Sequence, residues 1–296
     1  MSNIIPVVFC FDKRIILGAS VAIKSLIDCA KSSTTYDIRI FHSDLDIENQ
    51  KNLTSLAQNT RHNIAFHYID SKLFENAPVN KGSWTELVYY RLLVSNLIKE
   101  YDKVIYSDVD VLFKDDLEEL YNTNLENHSW AGVRAEKNTY PTVGHKYFKD
   151  NKNEYIFWSG LMLINCKIWQ ETNLLDKLFK NIEKYKKELV FFDLDLLNIT
   201  CNDIKELPLK YCLLQGLLTD DFQNSTDWKY LQKVYTIDDI KEAKKNPAIV
   251  HYAGKMGKPW RMKKPYQDYQ EYIDNLPKEL RKYTFRDIRK RIFNKR

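Results

Sequence analysis

The chain has 296 residues, 44% of them hydrophobic and 29% charged, with only eight glycines and eight prolines. This is the composition of a soluble globular protein with one large or two small domains, and it excludes collagen-like and linker-rich chains. The formal net charge of +5 is unevenly placed, because Lys278 to Arg296 carries nine basic and two acidic residues and leaves the remainder slightly acidic.

The five cysteines (Cys10, Cys29, Cys166, Cys201 and Cys212) are odd in number and scattered. They read as reduced thiols in a cytosolic setting, not as a disulfide framework or a zinc site. The start, MSNIIPVVFCF, lacks the basic segment and the apolar length of a signal peptide. No apolar run reaches the roughly eighteen residues that a membrane span needs.

In chain order, PVVFCF (6–11) reads as a buried strand and LGASVAIKSLIDCAK (17–31) as a helix. DIRIFHSD (37–44) alternates like a strand, and 45–59 is an amphipathic helix with Asp46 as N-cap. NIAFHYID (63–70) is a further strand, and 83–101 a helix capped by Ser83 or Thr85. KVIYSDVDVLF then reads as a strand, followed by an acidic helix, KDDLEELY. Beyond it come strands at 129–133 and 160–165, helices at 167–186 and 191–201, and a short strand in PAIVHYAG (247–254). Strands alternating with helices predict an α/β fold with a mostly parallel sheet covered on both faces.

Two aspartates interrupt the apolar run VIYSDVDVLF. In a strand, Asp108 and Asp110 would share one face, since side chains alternate. At the carboxyl end of a parallel strand that face opens on a ligand crevice. Paired carboxylates there suit Mn²⁺ or Mg²⁺ carrying a phosphate, and two like charges in such a context are costly without a cation. The same spacing recurs at Asp44/Asp46 and Asp193/Asp195, so spacing alone decides nothing; Asp44/Asp46 reads as a loop and helix cap.

HYAGKMGKPW (251–260) is the second unusual stretch. Gly254 and Gly257 allow a turn whose amides approach an anion closely, Lys258 adds a positive charge, and His251 suits a third metal position. Taken singly, His251 reads as a core histidine and Lys258 as a solvated surface lysine. Taken together with the aspartates, they describe a metal-diphosphate site.

VVFCFD, TELVYYRLL, YSDVDVLF, FWSGLMLIN, FFDLDLLN and HYAGKMGKPW, in this order over residues 6–260, resemble the motifs of retaining glycosyltransferases of family 8, which include bacterial lipopolysaccharide hexosyltransferases and glycogenin. The resemblance implies a GT-A fold, a UDP-sugar donor and an Mn²⁺-type cofactor. It implies that Asp12 and the backbone at Cys10 and Phe11 contact uridine, and that Arg91 lies near the donor sugar and diphosphate. Asp108, Asp110 and His251 would hold the metal, with Val109 between them in the donor site. Gly254 and Lys258 would hold the diphosphate, and Asp193 would bond donor-sugar hydroxyls. Without the resemblance, Arg91 reads as a helix-surface salt bridge and Asp193 as a helix cap.

Two positions depart from the family pattern. Trp158 stands where Asn is usual and would stack on a sugar or block one. Leu194 stands where Gln is frequent and offers neither nucleophile nor hydrogen bond. The expectation is therefore a retaining hexosyltransferase with attack on the same face as the departing UDP, Asp193 being the fallback nucleophile. The rivals are a phosphotransferase using its D-x-D pair, and a saccharide-binding protein on a degenerate transferase fold.

Residues 1–262 are expected to form the catalytic domain and 263–296 a basic tail. Phe285, Ile288 and Ile292 recur at helical spacing among basic residues, which reads as an element for an anionic membrane surface, with a solvated helix packed on its own domain as the alternative. No nucleic-acid fold signature accompanies the charge. The expected setting is cytoplasmic, peripheral on the inner face of the membrane, with a saccharide or glycolipid acceptor.

Overall fold

The computed structural model describes residues 3–80, 85–254 and 256–293. The first half winds β1 (Asn3–Cys10), α1 (Ile16–Asp28), β2 (Thr34–His42), α2 (Ile47–Thr54) and β3 (Asn63–Tyr68), then α3 (Val94–Leu97), β4 (Lys103–Ser107), β5 (Val111–Phe113) and α4 (Glu118–Tyr121). The second half adds β6 (Trp130–Lys137), β7 (Tyr155–Phe157), β8 (Leu161–Asn165), α5 (Cys166–Glu171), α6 (Leu174–Tyr185), α7 (Asp193–Thr200), β9 (Ile204–Leu207) and β10 (Leu213–Leu214). It closes with α8 (Trp228–Leu231), α9 (Ile237–Lys245), β11 (Ile249–His251), α10 (Gln267–Asn275) and α11 (Phe285–Phe293).

The large sheet runs β3-β2-β1-β4-β8-β6-β7, with β9 on the other edge of β6. It is mixed rather than mostly parallel: β3, β2, β1 and β4 are parallel neighbours, whereas β8 runs antiparallel to both β4 and β6. Strand β1 shows why both faces are covered. Val7 and Phe9 join a core with Leu17, Ala22 and Leu26 of α1, while Val8 and Cys10 join a second core with Tyr89, Tyr90 and Val94. A strand buried on both sides reads as a continuous apolar run, as VVFCF does.

Several elements differ from the sequence expectation. Residues 86–93 wind as a 3₁₀-helix before α3, and Thr85 caps without a side-chain bond; Ser83 lies outside the described residues. The tighter winding superposes residues three apart, so Arg91 Nε donates to the Val88 carbonyl at 3.1 Å. The helix expected over 167–186 is two, because Asn173 takes a left-handed conformation (φ 50°) between α5 and α6. The acidic helix after the aspartates is only the four residues of α4. Asp46 does cap α2, accepting from Asn49 N at 2.8 Å.

The stretch from Lys103 to Phe113 is also not one strand. Asp108 N bonds the Gly160 carbonyl at 2.8 Å, ending the pairing of β4 with β8. The chain then leaves the large sheet and β5 enters a second one, ordered β10-β11-β5.

Candidate active site

The sheet topology places a crevice before any side chain is considered. From β1 the chain builds outward through β2 and β3, then returns to the other side of β1 as β4, with Phe9 opposite Ser107. The carboxyl ends of β1 and β4 therefore flank a topological switch point, where open α/β sheets bind ligands. Cys10, Phe11 and Asp12 leave β1 there, and Asp108 leaves β4.

Strand β11 supplies the third metal-type donor. It pairs antiparallel with β5, setting His251 opposite Val111, and Tyr252 N bonds the Asp110 carbonyl at 2.8 Å. His251 Nε2 lies 3.3 Å from Asp110 Oδ1 and 3.7 Å from Asp108 Oδ2. One ligand atom from each of Asp108, Asp110 and His251 falls within 4.8 Å of the others. The aspartates thus converge through a departure from the sheet, not through the alternation of a single strand.

Each donor is oriented by a neighbour. Asp108 Oδ1 accepts from Tyr106 Oη at 2.8 Å and Arg91 Nη2 at 3.0 Å, and its Oδ2 is the oxygen nearest His251. The Cys212 thiol sits 3.4 Å from His251 Nδ1, on the far side of the ring from the carboxylates. Lys258 Nζ forms a very short ion pair with Asp110 Oδ2 and donates to the Tyr252 carbonyl at 3.1 Å. Burial opposes charge on Asp110, but Lys258 and His251 outweigh it and hold the carboxyl far below its ordinary range. Burial likewise opposes an imidazolium at His251, and Asp110 overcomes it and raises the group well above the usual histidine range. The cluster already attracts a cation, in the form of a lysine ammonium, and its two carboxylates and one imidazole fit Mn²⁺ or Mg²⁺.

Arg91 is buried, at 6% exposure, rather than on a helix surface. Its guanidinium donates to the Ser159 carbonyl at 2.7 Å, pairs with Asp193 Oδ2 at 3.1 Å as well as with Asp108, and stacks 4.3 Å from the Tyr106 ring centre. Asp193 is the first residue of α7 and does not cap it; its Oδ2 also accepts from Ser159 Oγ at 2.7 Å. Burial pushes the Asp193 carboxyl up to about 6, against the pull of Arg91 and Ser159. Asp195 instead fastens the preceding turn, accepting from Val190 N and Phe191 N at 2.7 and 2.8 Å.

The glycine turn has the backbone its sequence implies: Gly254 and Gly257 have φ of 87° and 92°. Gln215, fully buried, ties the turn by donating to the carbonyls of Ala253 and Gly257 at 2.8 and 3.1 Å. Asp12 is engaged by Arg14, taking its backbone N–H at 2.9 Å and its Nε at 2.7 Å. Phe11, Val109, Trp158 and Leu194 have buried side chains that belong to one core cluster, and the buried Cys10 thiol is pushed up by desolvation.

Six residues of this site carry no sequence signal of their own: Tyr106, Ser159, Gly160, Cys212, Gln215 and Asp227. A Cβ on Gly160 would lie 2.6 Å from His251 Cε1 and 2.9 Å from Asp108 Oδ2, so only glycine lets the two ligands approach. Asp227 sits beneath the glycine turn, accepting from Gly216 N at 3.2 Å. Gly160 and Ser159 lie inside the FWSG stretch, but their partners come from β11, α7 and the 3₁₀ segment, which only the fold assembles.

The fold is α/β, with Asp108, Asp110 and His251 gathered at the sheet's switch point as a donor set that could hold a cation. The chain belongs to glycosyl transferase family 8, whose model matches residues 6–264. It is 28% identical over 211 residues to a putative glycosyltransferase of Haemophilus influenzae, covering 68% of this chain and 60% of that protein. It is 26% identical to a lipopolysaccharide 1,2-glucosyltransferase of Escherichia coli, covering 84% of this chain and 71% of the relative. General stress protein A of Bacillus subtilis is also 26% identical, with 92% and 93% covered. Among solved structures, galactosyltransferase LgtC with donor and acceptor sugar analogs shares the fold at TM-score 0.73 and 22% identity, over 94% of this chain and 99% of that one.

Proposed function

We propose that the protein is a retaining hexosyltransferase that moves a glucose- or galactose-type sugar from a UDP-sugar to a saccharide or glycolipid acceptor. The observation that carries this reading is the convergence of Asp108, Asp110 and His251 within 4.8 Å at the sheet's switch point. The relative named as a lipopolysaccharide 1,2-glucosyltransferase supports the hexose and the acceptor class.

Asp108, Asp110 and His251 hold Mn²⁺ or Mg²⁺, which when bound supplies Lewis-acid charge beside the departing diphosphate. Lys258 exchanges Asp110 for diphosphate oxygens, and the backbone N–H groups of Gly254 and Gly257 are offered to them. Asp12 and the backbone at Cys10 and Phe11 take the uridine at the end of β1. Arg91 fixes Asp108 on one side and Asp193 on the other, and Asp193 faces the hydroxyls of the donor sugar. Leu194, buried and apolar, cannot serve as nucleophile, which favours attack on the face that UDP leaves with a phosphate oxygen taking the acceptor proton, Asp193 being the fallback nucleophile.

Helix α11 extends the proposal to a surface. Asp287, fully buried, accepts from Arg261 Nε at 2.6 Å and caps the helix through Thr284, which docks one side on the domain. Phe285, Ile288, Ile292 and Phe293 stay exposed among basic residues. That arrangement suits peripheral contact with an anionic membrane on the cytoplasmic side. Among the described residues no helix is long and apolar enough to cross a membrane.

The test is transfer from a panel of UDP-hexoses to core oligosaccharide, with the anomeric configuration of the product read by NMR. Retained configuration from one donor supports the reading; inversion, or UDP binding with neither transfer nor hydrolysis, overturns it.

A further inference from the structure

Lys258 owes its position to residues on both sides of it in the chain. Gln215 ties the turn before it, at the carbonyls of Ala253 and Gly257. After it, Pro259 opens a 3₁₀ turn, Pro259–Arg261. The Arg261 N–H donates back to the Lys258 carbonyl at 2.8 Å, so the 3₁₀ turn and Lys258 move together. Trp260, at the centre of that turn, is 2% exposed and lies over Gly18 of α1, where a Cβ would come within 2.7 Å of the indole ring. The buried indole fixes where the turn sits. The direction in which the chain runs from it to Lys258 needs a further hold.

Helix α11 supplies it. Asp287 and Arg291 stand four residues apart and so share one face of the helix. Arg261 Nε donates to Asp287 Oδ1 at 2.6 Å, and Arg291 Nη1 donates to the Trp260 carbonyl at 3.3 Å. One helix therefore grips the turn at two successive residues. The two oxygens of Asp287 divide the work: Oδ1 takes Arg261, while Oδ2 takes Thr284 N at 2.9 Å and Thr284 Oγ1 at 2.6 Å at the start of α11. Asp287 is 1% exposed, and a buried carboxylate bound to a guanidinium in this way is costly to separate from it.

At the other end of this chain of contacts, Lys258 Nζ pairs with Asp110 Oδ2 and donates to the Tyr252 carbonyl at 3.1 Å. An ammonium serves an anion only where its backbone holds it, and a displacement of about 1 Å loses much of such a contact. We propose that Asp287 is a positioning residue for Lys258: through Arg261 it sets the 3₁₀ turn, and so aims the ammonium at Asp110 and at the second phosphate of a nucleoside diphosphate. The basic C-terminal helix is then a working part of the donor site, whatever surface its exposed apolar side chains face. This rests on the transferase reading for the diphosphate, and on the Lys258–Asp110 ion pair alone for the positioning.

Isothermal titration of the full chain with Mn²⁺ alone, with UMP and Mn²⁺, and with UDP and Mn²⁺ tests it. Asp287→Ala is expected to bind UDP about fivefold or more weakly, while UMP, which lacks the second phosphate, stays within about twofold of the parent. Arg261→Gln leaves the Thr284 contacts of α11 in place and is expected to do the same; it decides the matter alone if Asp287→Ala does not fold. Mn²⁺ without nucleotide should bind both variants more tightly than the parent, because a displaced Lys258 frees Asp110. In a Lys258→Met background, the effect of Asp287→Ala on UDP should shrink below about twofold. Equal losses for UMP and UDP, unchanged UDP binding, or a full loss in the Lys258→Met background overturns the proposal. Failure of the parent to bind UDP would sink the transferase reading instead, while the Mn²⁺ comparison would still decide the positioning.

Discussion

Lys258 forms an ion pair with Asp110, the same carboxylate that faces His251 from its other oxygen. The ammonium therefore competes with a divalent cation for that ligand until a diphosphate draws it away. Lys258→Met is expected to bind Mn²⁺ several-fold more tightly without nucleotide, and to bind UDP with Mn²⁺ about tenfold more weakly. Isothermal titration separates the two. Weaker Mn²⁺ binding in the variant would contradict the competition.

Gly160 is where the Asp108 and His251 side chains leave least room. The clash of a methyl group with His251 and Asp108 predicts that Gly160→Ala weakens Mn²⁺ binding by about tenfold or more, because ligand geometry rather than ligand identity is disturbed. Far-ultraviolet circular dichroism should stay that of the parent. Unchanged metal affinity would mean that the ligands relax around the methyl at no cost.

Much of this cluster was legible before the fold. Asp108, Asp110 and His251 stood out because carboxylates and an imidazole interrupt or end apolar strands, and Gly254 and Gly257 because a turn with positive φ demands them. Arg91 was legible only through the family resemblance, since a helical arginine among tyrosines gives no sign that it will be buried against Asp193. Gly160 lies inside the quoted FWSG stretch but, like Cys212 and Gln215, gave no sign of its partners. Their role is to be close to residues far away in sequence, and local pattern does not encode that proximity. The same limit explains the sheet: helix-strand alternation implied parallel neighbours, but the reversal of β8 between β4 and β6 is a matter of topology.

Glu136, buried in β6, gives a pH dependence with a definite sign. Burial raises this carboxyl, but the hydrogen bonds from His145, Val143 and Gly144 prevail and hold it down at about 2, against 4.5 when unpaired. The depressed group stabilises the fold above its unfolded value, and that contribution disappears as the pH falls from about 4.5 to about 2. Glu136→Gln should thus cost about 2 kcal/mol at neutral pH, discounted for solvent screening. Urea melts of parent and variant should converge near the lower limit. A constant difference across that range would show that the carboxylate charge is immaterial.

On α11 Phe285, Ile288 and Ile292 are exposed and lie outside the buried core clusters. Phe285→Ser/Ile288→Ser/Ile292→Ser should leave thermal stability within about 0.5 kcal/mol of the parent. Sedimentation with vesicles containing phosphatidylserine should nonetheless drop sharply, and the parent's binding should weaken with salt. Equal binding by parent and variant would remove the membrane from the account.

The most direct measurement is UDP release from UDP-glucose and UDP-galactose with Mn²⁺, repeated in EDTA and with Asp110→Asn. The account predicts release from one donor, abolished by chelation and reduced at least about a hundredfold in the variant. Release that persists in EDTA, or that Asp110→Asn leaves intact, would contradict the assignment of Asp108, Asp110 and His251 as the centre of a metal-dependent transferase.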